Sequence, residues 1–165
     1  MKKAEEQLEV IADTIKAQSV KMIEGKLNSL VNNIAELRKT NALLSLALAE
    51  SSIGELLDLA FDNGKCKVLI SQVDNQINDL KAYADKINKK LDGVVYIYQI
   101  SDKVVISCAC SKEAIALGYH AGELVKKGAI SCGGNGGGKN DIAQAGGKDI
   151  TQVENMKAII TEALS

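Results

Sequence analysis

A cluster of glycines constrains the fold of this chain more than any other feature of the sequence. Seven of the 14 glycines in the 165 residues lie between positions 131 and 147. Each ordered glycine costs roughly 0.5–1 kcal/mol of backbone entropy relative to alanine, so the cluster indicates a specific need for glycine. It also holds Ile142, Ala143 and Ala145, which a flexible linker rich in glycine and serine would lack. We therefore predict a structured glycine loop over residues 133–147.

The chemistry expected of this glycine loop is anion binding. Glycine permits close approach to a ligand, and successive exposed amides form a nest for an anion such as phosphate. Lys139 adds a positive charge, while Asn140, Asp141 and Gln144 add polar groups that can contact a sugar or a base. The loop is not a P-loop, because Asn140 follows Lys139 where a hydroxyl residue is required. Its position between two predicted helices also excludes a dinucleotide-binding loop.

The overall composition is typical of a globular domain. Hydrophobic residues make up 46% and charged residues 25% of the chain, and aromatic residues are only 3%, so the core is expected to consist of Leu, Ile, Val and Ala. The net charge of -1 gives no overall field that attracts polyanions, so any nucleic-acid contact has to be a local patch. The chain has no apolar run of 18 residues, and we expect a cytoplasmic protein without membrane contact.

Metal and cofactor chemistry is not expected from the cysteines and the single histidine. His120 is the only histidine, which excludes sites with two or three histidines within the chain. Cys108, Cys110 and Cys132 would need His120 as a fourth ligand, and no pair has the spacing of a zinc finger. With Cys66 they are expected to be free thiols in a reducing compartment. We predict no metal and no cofactor.

Residues 1–61 are expected to form a helical arm with a coiled-coil-like seam. Apolar residues recur at spacings of four and three, with Asn41 at one seam position. A change of phase near Gly25 predicts a kink or a stutter. The seam either pairs with a second copy of the chain or packs on the chain's own helices. Its residues, which are the candidate dimerisation residues, are Ile23, Leu27, Leu30, Ile34, Leu37, Leu44 and Leu48.

Residues 62–165 are expected to form an α/β domain with a mixed sheet. A short helix over Ser52–Ala60, with a capping box formed by Ser52 and Glu55, precedes this domain. Two strands separated by three residues can only form a hairpin, and another strand and helix precede them. The predicted elements are a strand at 67–73, a helix at 75–91, strands at 94–100 and 104–110, and helices near 120–130 and at 151–164.

Two motifs in the second half of the chain carry a resemblance to a known family. They are His120-Ala-Gly-Glu-Leu-Val125 and Cys132-Gly-Gly-Asn-Gly-Gly-Gly-Lys-Asn-Asp-Ile-Ala-Gln-Ala-Gly-Gly147. The chain from about 62 to 165 resembles the C-terminal, DHH-associated domain of the alanyl-tRNA synthetases, and the arm looks like the linker before that domain. Asn140 stands where the family usually has proline, and Lys139 where arginine is more frequent.

The resemblance implies a tRNA-binding module without catalysis of its own. The family places aminoacylation and editing in other domains, so this chain would be a C-terminal fragment of an alanine-tRNA ligase. The implied role is binding the outer corner of alanine tRNA and tethering it for the catalytic and editing domains, with dimerisation in some members. The glycine loop and the resemblance together indicate candidate RNA-binding residues: Gly133, Gly134, Gly136, Gly137, Gly138, Lys139, Gln144, Gly146, Gly147, His120, Lys126 and Lys127.

Several of these side chains have a structural interpretation as well. His120 either contacts phosphate or the loop, or serves as a packed or capping residue. Lys126 and Lys127 either face phosphate or complement the dipole near a helix end. Tyr96 and Tyr98 share one face of a strand, where they either stack on bases or pack in the core.

Two other functions remain open from the sequence. DHH-associated domains also hold substrate in phosphoesterases, although Asp-His-His, which their catalytic domain needs, occurs nowhere in the chain. Alternatively, the seam makes the chain a purely structural dimerisation module.

Overall fold

The computed structural model describes residues 2–165, except for the side chains at positions 45, 46 and 49. The chain forms two compact units, Met1–Ser51 and Ser52–Ser165. The boundary between them lies ten residues before the 61/62 boundary expected from the sequence. Among the helices of the described residues, none is long and apolar enough to span a bilayer.

The first unit is helical, as the sequence predicted. Helix α1 spans Lys2–Thr14, and a short 3-10 turn at Val20–Met22 leads into helix α2, Ile23–Asp58. The predicted interruption near Gly25 is instead a break over residues 15–19, and Gly25 itself lies within the first turn of α2. The change in phase of the apolar pattern therefore marks the end of one helix and the start of the next.

The prediction of a separate short helix beginning at Ser52 is wrong. Helix α2 continues through this position to Asp58 without interruption. A serine followed three residues later by glutamate starts many helices, but no residue that breaks a helix precedes Ser52 here. The last part of α2 belongs to the second unit, where Ile53 is fully buried.

The second unit is built on a six-stranded mixed sheet, which confirms the predicted α/β fold class. The order across the sheet is β1-β2-β3-β4-β6-β5, in which β2 and β3 are parallel and all other neighbours antiparallel. The two central strands have the predicted bounds, while β1, β5 and β6 were not predicted. The strands are β1 Phe61–Asp62, β2 Lys67–Gln72, β3 Val94–Ile100, β4 Val104–Cys110, β5 Asn135–Gly138 and β6 Ile142–Gly147.

Four helices surround the sheet. They are α3 Leu80–Leu91, α4 Lys112–Ala116, α5 Ala121–Ser131 and α6 Val153–Ala163, the last preceded by a 3-10 turn at Ile150–Gln152. Helix α3 begins five residues later than predicted, because Asp79 caps it by accepting a hydrogen bond from the Ala82 amide at 2.9 Å. The preceding segment is held instead by Gln99, whose amide donates to the carbonyls of Asp74 and Ile77.

The core lies on both faces of the sheet. On one face, Tyr96 and Tyr98 pack in a cluster with residues of α5 and α6, which confirms the core interpretation of these tyrosines. Cys108 and Cys110 are buried in the same cluster and share a face, as expected from their spacing of two. The opposite face carries residues such as Ile97, which is fully buried where α3 covers β3 and β4.

Candidate nucleic-acid interface

The glycine segment is a β-hairpin and not an open loop. Strand β5, Asn135–Gly138, pairs antiparallel with β6, Ile142–Gly147, and β6 pairs in turn with β4. The prediction of a loop over residues 133–147 is therefore wrong in its backbone conformation. Strand β5 is at the edge of the sheet and pairs only with β6, so ladder hydrogen bonds engage alternate amides of β5 and the hairpin does not offer an unbroken row of free amides as an anion nest.

One face of the hairpin requires glycine for packing. Gly136 lies opposite Ala145 and Gly138 opposite Ala143, and both alanines are part of the core beneath α5. A Cβ placed on Gly138 would lie 2.6 Å from the Cβ of Ala143, and a Cβ on Gly136 would overlap Ala145 more severely. These two glycines are explained by the close approach of the two strands.

The other face of the hairpin is exposed to solvent. Close packing between the strands does not explain the glycine at position 137 on this face. A Cβ on Gly137 would have no atom within 4 Å, and the φ angle of Gly137 lies outside the left-handed region. Gly137 pairs with the exposed Gln144. Asn135 and Lys139 lie two residues on either side and share this face. We call Asn135, Gly137, Lys139 and Gln144 the outward face of the hairpin.

Asn135 belongs to the outward face but was not among the candidate site residues expected from the sequence. The side chain of Asn135 accepts a hydrogen bond from the Gly136 amide at 2.8 Å and is exposed. The signal was present in the spacing, because residues that alternate along a strand share one face. It could be used only once the segment was known to be a strand.

The turn of the hairpin is bound to the start of α5. The Ala121 amide donates to the Asn140 carbonyl at 2.9 Å, and the Gly122 amide donates to the Lys139 carbonyl at 3.1 Å. Asp141 stabilises the turn, since its carboxylate accepts from the Ile142 amide at 3.0 Å. Two of the free amides at the helix N-terminus are thus occupied by the chain itself, so they are not available to a phosphate.

His120 lies at the N-cap position of α5, next to this turn. Its side chain makes no capping hydrogen bond, and its carbonyl accepts from the amides of Glu123 and Leu124. Within the described residues, its Nδ1 atom is buried without a hydrogen-bond partner. The ring is partly buried, which agrees with a packed histidine. His120 therefore lies next to the hairpin turn, because the following residue, Ala121, is hydrogen-bonded to Asn140 in that turn.

The remaining candidate residues are spread around the hairpin. Lys126 and Lys127 are exposed in the middle of α5, so the expectation that they lie near a helix end is wrong.

The glycines that follow α5 terminate this helix. Gly133 has a φ angle of +65°, and the Gly134 amide donates a hydrogen bond to the Ala129 carbonyl at 2.8 Å. These two glycines form a Schellman motif, which explains them structurally. The rest of the hairpin glycines, Gly146 and Gly147, lie on β6.

Three of the four cysteines are buried, and Cys66 is partly exposed. All four carry free thiols. Burial raises the pKa of the Cys108 thiol, with a further rise from its neighbour Cys110. Burial also raises the pKa of Cys132 and outweighs the hydrogen bond with Ser131. In the described residues, no group of three or more His, Cys, Asp or Glu is arranged to hold a metal.

The apolar seam of α2 is exposed in the first unit. Leu27 is 48% exposed and Leu37 is 69% exposed, whereas Ile23 and Leu30 are only partly exposed. Side chains of this size are usually buried in a folded protein. The chain alone therefore leaves most of this stripe in contact with solvent. The other exposed residues of the stripe are Ile34, Leu44 and Leu48.

Comparison with known proteins places this fold in a family. Residues 65–165 match the family model of the DHHA1 domain. The chain belongs to the DHHA1 family. This DHHA1 protein is 37% identical over 140 residues to the alanine-tRNA ligase of Bacillus mycoides (strain KBAB4), an alignment that covers 83% of this chain and 16% of that protein. It is 34% identical over 167 residues to the alanine-tRNA ligase of Alkaliphilus oremlandii (strain OhILAs), covering 99% of this chain and 19% of the relative.

Solved structures show the same fold. The C-Ala domain of Aquifex aeolicus alanyl-tRNA synthetase superimposes with a TM-score of 0.56 at 24% identity, covering 62% of this chain and 95% of that domain. RecJ from Thermus thermophilus matches with a TM-score of 0.54 at 15% identity, over 87% of this chain and 20% of that protein. The resemblance seen in the motifs is thus confirmed. The chain spans less than a fifth of the length of the two ligases it matches.

Proposed function

We propose that this DHHA1 domain is a tRNA-binding module of an alanine-tRNA ligase and has no catalytic activity of its own. Its proposed ligand is alanine tRNA, held at the outer corner for the catalytic and editing domains of the same ligase. The identity to alanine-tRNA ligases over most of the chain supports this assignment. In this proposal residues 1–61 form the arm and residues 62–165 the RNA-binding domain.

The observation that carries the proposal is the open environment of Gly137. Neither packing nor backbone conformation accounts for a glycine at this position. Glycine leaves the backbone accessible, so a ligand can approach it closely. The side-chain amides of Asn135 and Gln144 can form hydrogen bonds with ribose or base edges. Lys139 supplies one positive charge for a phosphate. We propose that RNA contacts the outward face of the hairpin.

Recognition by shape agrees with the charge of the chain. Residues 62–165 contain 13 basic and 12 acidic side chains, so this part has almost no net charge. Folded RNA is recognised largely through its backbone, its 2′-hydroxyl groups and its unstacked bases. A hairpin with polar side chains and accessible backbone suits such contacts better than a strongly basic groove would.

The decisive experiment is a binding titration with three RNAs at two salt concentrations. They are alanine tRNA, the same tRNA with its D-loop to T-loop contact disrupted, and an unstructured RNA of equal length. We expect intact tRNA to bind most tightly, and we expect the variant Gly137→Val with Lys139→Ala to lose this preference. The matched control is Gly54→Val with Lys103→Ala, since Gly54 also has open space and Lys103 is exposed.

The titration has a clear opposing result. Equal binding of the three RNAs, or an unchanged preference in the Gly137 variant, would refute corner recognition by the hairpin. Loss of preference in both variants would show a general effect of the substitutions and would also count against it.

Dimerisation through α2 is a second proposed function, and the exposed seam supports it. Burying one leucine side chain contributes roughly 1.5–3 kcal/mol, so a paired seam of several residues stabilises a dimer substantially. Pairing with a second copy would remove this apolar stripe from water. Dimerisation is compatible with RNA binding by the hairpin, because the seam lies on α2 and the hairpin is formed by β5 and β6.

The likeness to RecJ extends to the fold alone. A role as the substrate-binding part of a DHH-type phosphoesterase would require a catalytic domain containing Asp-His-His, and this motif is absent from the sequence given. The identities of 34–37% to alanine-tRNA ligases favour the ligase assignment.

A further inference from the structure

The corner between α1 and α2 contains a lysine in an unfavourable backbone conformation. Lys16 has a φ angle of +53°. Its amide donates to the Asp13 carbonyl at 3.1 Å, and the Ala17 amide donates to the Ala12 carbonyl at 2.8 Å. These two bonds form a Schellman motif with Lys16 at the position that glycine fills at the least steric cost. The helix end alone therefore does not explain why this residue is lysine.

An open pocket lies beside Lys16. Its volume of about 500 Å³ is within the usual range for small-molecule sites. Three of its seven lining residues are lysines, and none is an aspartate or a glutamate. The lining residues are Lys16, Ala17, Gln18, Lys21, Met22, Gly25 and Lys26.

The positive charge at this corner stands out against the rest of the arm. Residues 1–61 contain nine acidic and seven basic side chains, and three of the seven basic ones line the pocket. In the part of the chain that the structure describes, none of these three lysines forms an ion pair with a carboxylate. No direct ion pair therefore competes with a bound anion for these three ammonium groups.

The start of α2 adds to the positive potential. Ser19 precedes the 3-10 turn in an extended conformation, and its side chain makes no capping hydrogen bond. The first amides of a helix carry a partial positive charge and favour an anion. Lys21 and Met22 belong to the 3-10 turn that leads into α2, and both line the pocket. Lysine side chains and helix start thus favour the same kind of ligand.

We propose that this pocket, which we call the arm pocket, binds a phosphodiester segment of RNA. The ammonium groups of Lys16, Lys21 and Lys26 would contact phosphate oxygens, and Met22 would contact a sugar or a base. Lysines act as mobile point charges, which suits a backbone phosphate. This inference rests on the proposed function, because it adds a second RNA contact in the first unit to the one on the hairpin.

The salt dependence of RNA binding by the full chain tests the arm pocket. The variant Lys16→Gln, Lys21→Gln, Lys26→Gln should flatten the plot of log affinity against log salt by about 2–3 in slope, since each phosphate contact contributes about 0.7–0.9. The control Lys2→Gln, Lys3→Gln, Lys39→Gln removes the same charge from the same unit outside the pocket. An equal change in both triple variants would overturn the proposal.

The variant Lys16→Gly tests whether Lys16 contributes to RNA binding independently of its effect on the stability of the chain. Glycine suits a φ of +53°, so the thermal midpoint of the variant should not fall. If Lys16 contacts phosphate, RNA affinity near physiological salt should fall roughly fivefold, the contribution expected of one phosphate contact. Unchanged affinity with unchanged or higher stability would show that Lys16 is not an RNA contact.

A titration with inorganic pyrophosphate distinguishes failure of the arm pocket from failure of the proposed function. Amide signals of residues 16–26 should shift in the full chain and not in the pocket triple variant. If RNA does not bind the full chain but pyrophosphate produces these shifts, the proposed tRNA function fails while the anion chemistry of the pocket stands. Without these shifts and without the difference in salt slope, the arm pocket proposal is refuted even if tRNA binds.

Discussion

The carbonyl oxygen of Asn140 accepts a hydrogen bond from the amide of Ala121 at 2.9 Å, which joins the turn of the glycine hairpin to the start of α5. This bond gives the turn a structural role in the domain. It also occupies a helix N-terminus that would otherwise attract an anion. The outward face of the hairpin and the side chain of Lys139 are therefore the parts of the segment left for RNA in our proposal.

The two faces of the hairpin should respond differently to a single added methyl group. Gly138→Ala forces its new Cβ against Ala143, so we expect the free energy of unfolding to fall by about 1–3 kcal/mol. Gly137→Ala has open space and should change it by less than about 0.5 kcal/mol. Urea unfolding followed by circular dichroism measures both. Equal losses would contradict the assignment of faces.

Charges placed on the seam should prevent dimer formation. Ile34→Lys with Leu37→Lys would bring ammonium groups into the apolar interface, so a dimer of the intact chain should become monomeric. Analytical ultracentrifugation measures the mass. Asn32→Lys is the control, because it adds charge to α2 away from the seam and should leave the dimer intact. A monomeric wild-type chain at all concentrations would exclude the dimer.

Asn41 should limit the stability of the paired seam while fixing its register. A polar residue at one seam position specifies register and oligomeric state at a cost in stability. We expect Asn41→Leu to raise the thermal midpoint of the dimer and to permit larger assemblies. Combined thermal unfolding and sedimentation test this, with Asn32→Leu as the control. A lower midpoint would argue that Asn41 has another role.

The thiols should react in an order set by exposure. Cys66 is partly exposed, whereas Cys108 and Cys132 are buried. Burial raises the pKa of all three thiols, so little thiolate is present at neutral pH and alkylation should accelerate as the pH rises. Mass spectrometry after limited alkylation should find Cys66 modified first. In urea all four should react alike, and early modification of Cys108 in the native protein would contradict its burial.

Asn63 should be important for the stability of the second unit. Its side-chain amide donates to the Leu164 carbonyl and to the Tyr119 hydroxyl, and its oxygen accepts from the Cys66 amide at 2.9 Å. Asn63→Ala leaves partly buried groups without partners, which should cost about 1–3 kcal/mol in chemical unfolding. Asn155→Ala serves as the control, because its bond with Gln152 is exposed. Similar stability of the two variants would exclude the anchoring role.

The central part of the fold could be predicted because its signals are local. Strands β3 and β4 are apolar runs separated by three residues, and both were predicted with their observed bounds. The late start of α3 was missed, because its cap at Asp79 competes with an amphipathic pattern that begins earlier in the sequence. Helix α4 is only five residues long and has too few turns to show a period.

By itself, the sequence determined the α/β class, the helical arm with its seam and the membership in the DHHA1 family, because these depend on apolar spacing and on a dense motif. Only the tertiary structure decided that the glycine segment is a hairpin, since glycine favours strands poorly and β6 is held by pairing with β4. It also decided that Gly138 faces Ala143 while Gly137 faces solvent. That difference arises from strand register and from packing beneath α5, which are contacts between residues distant in the sequence.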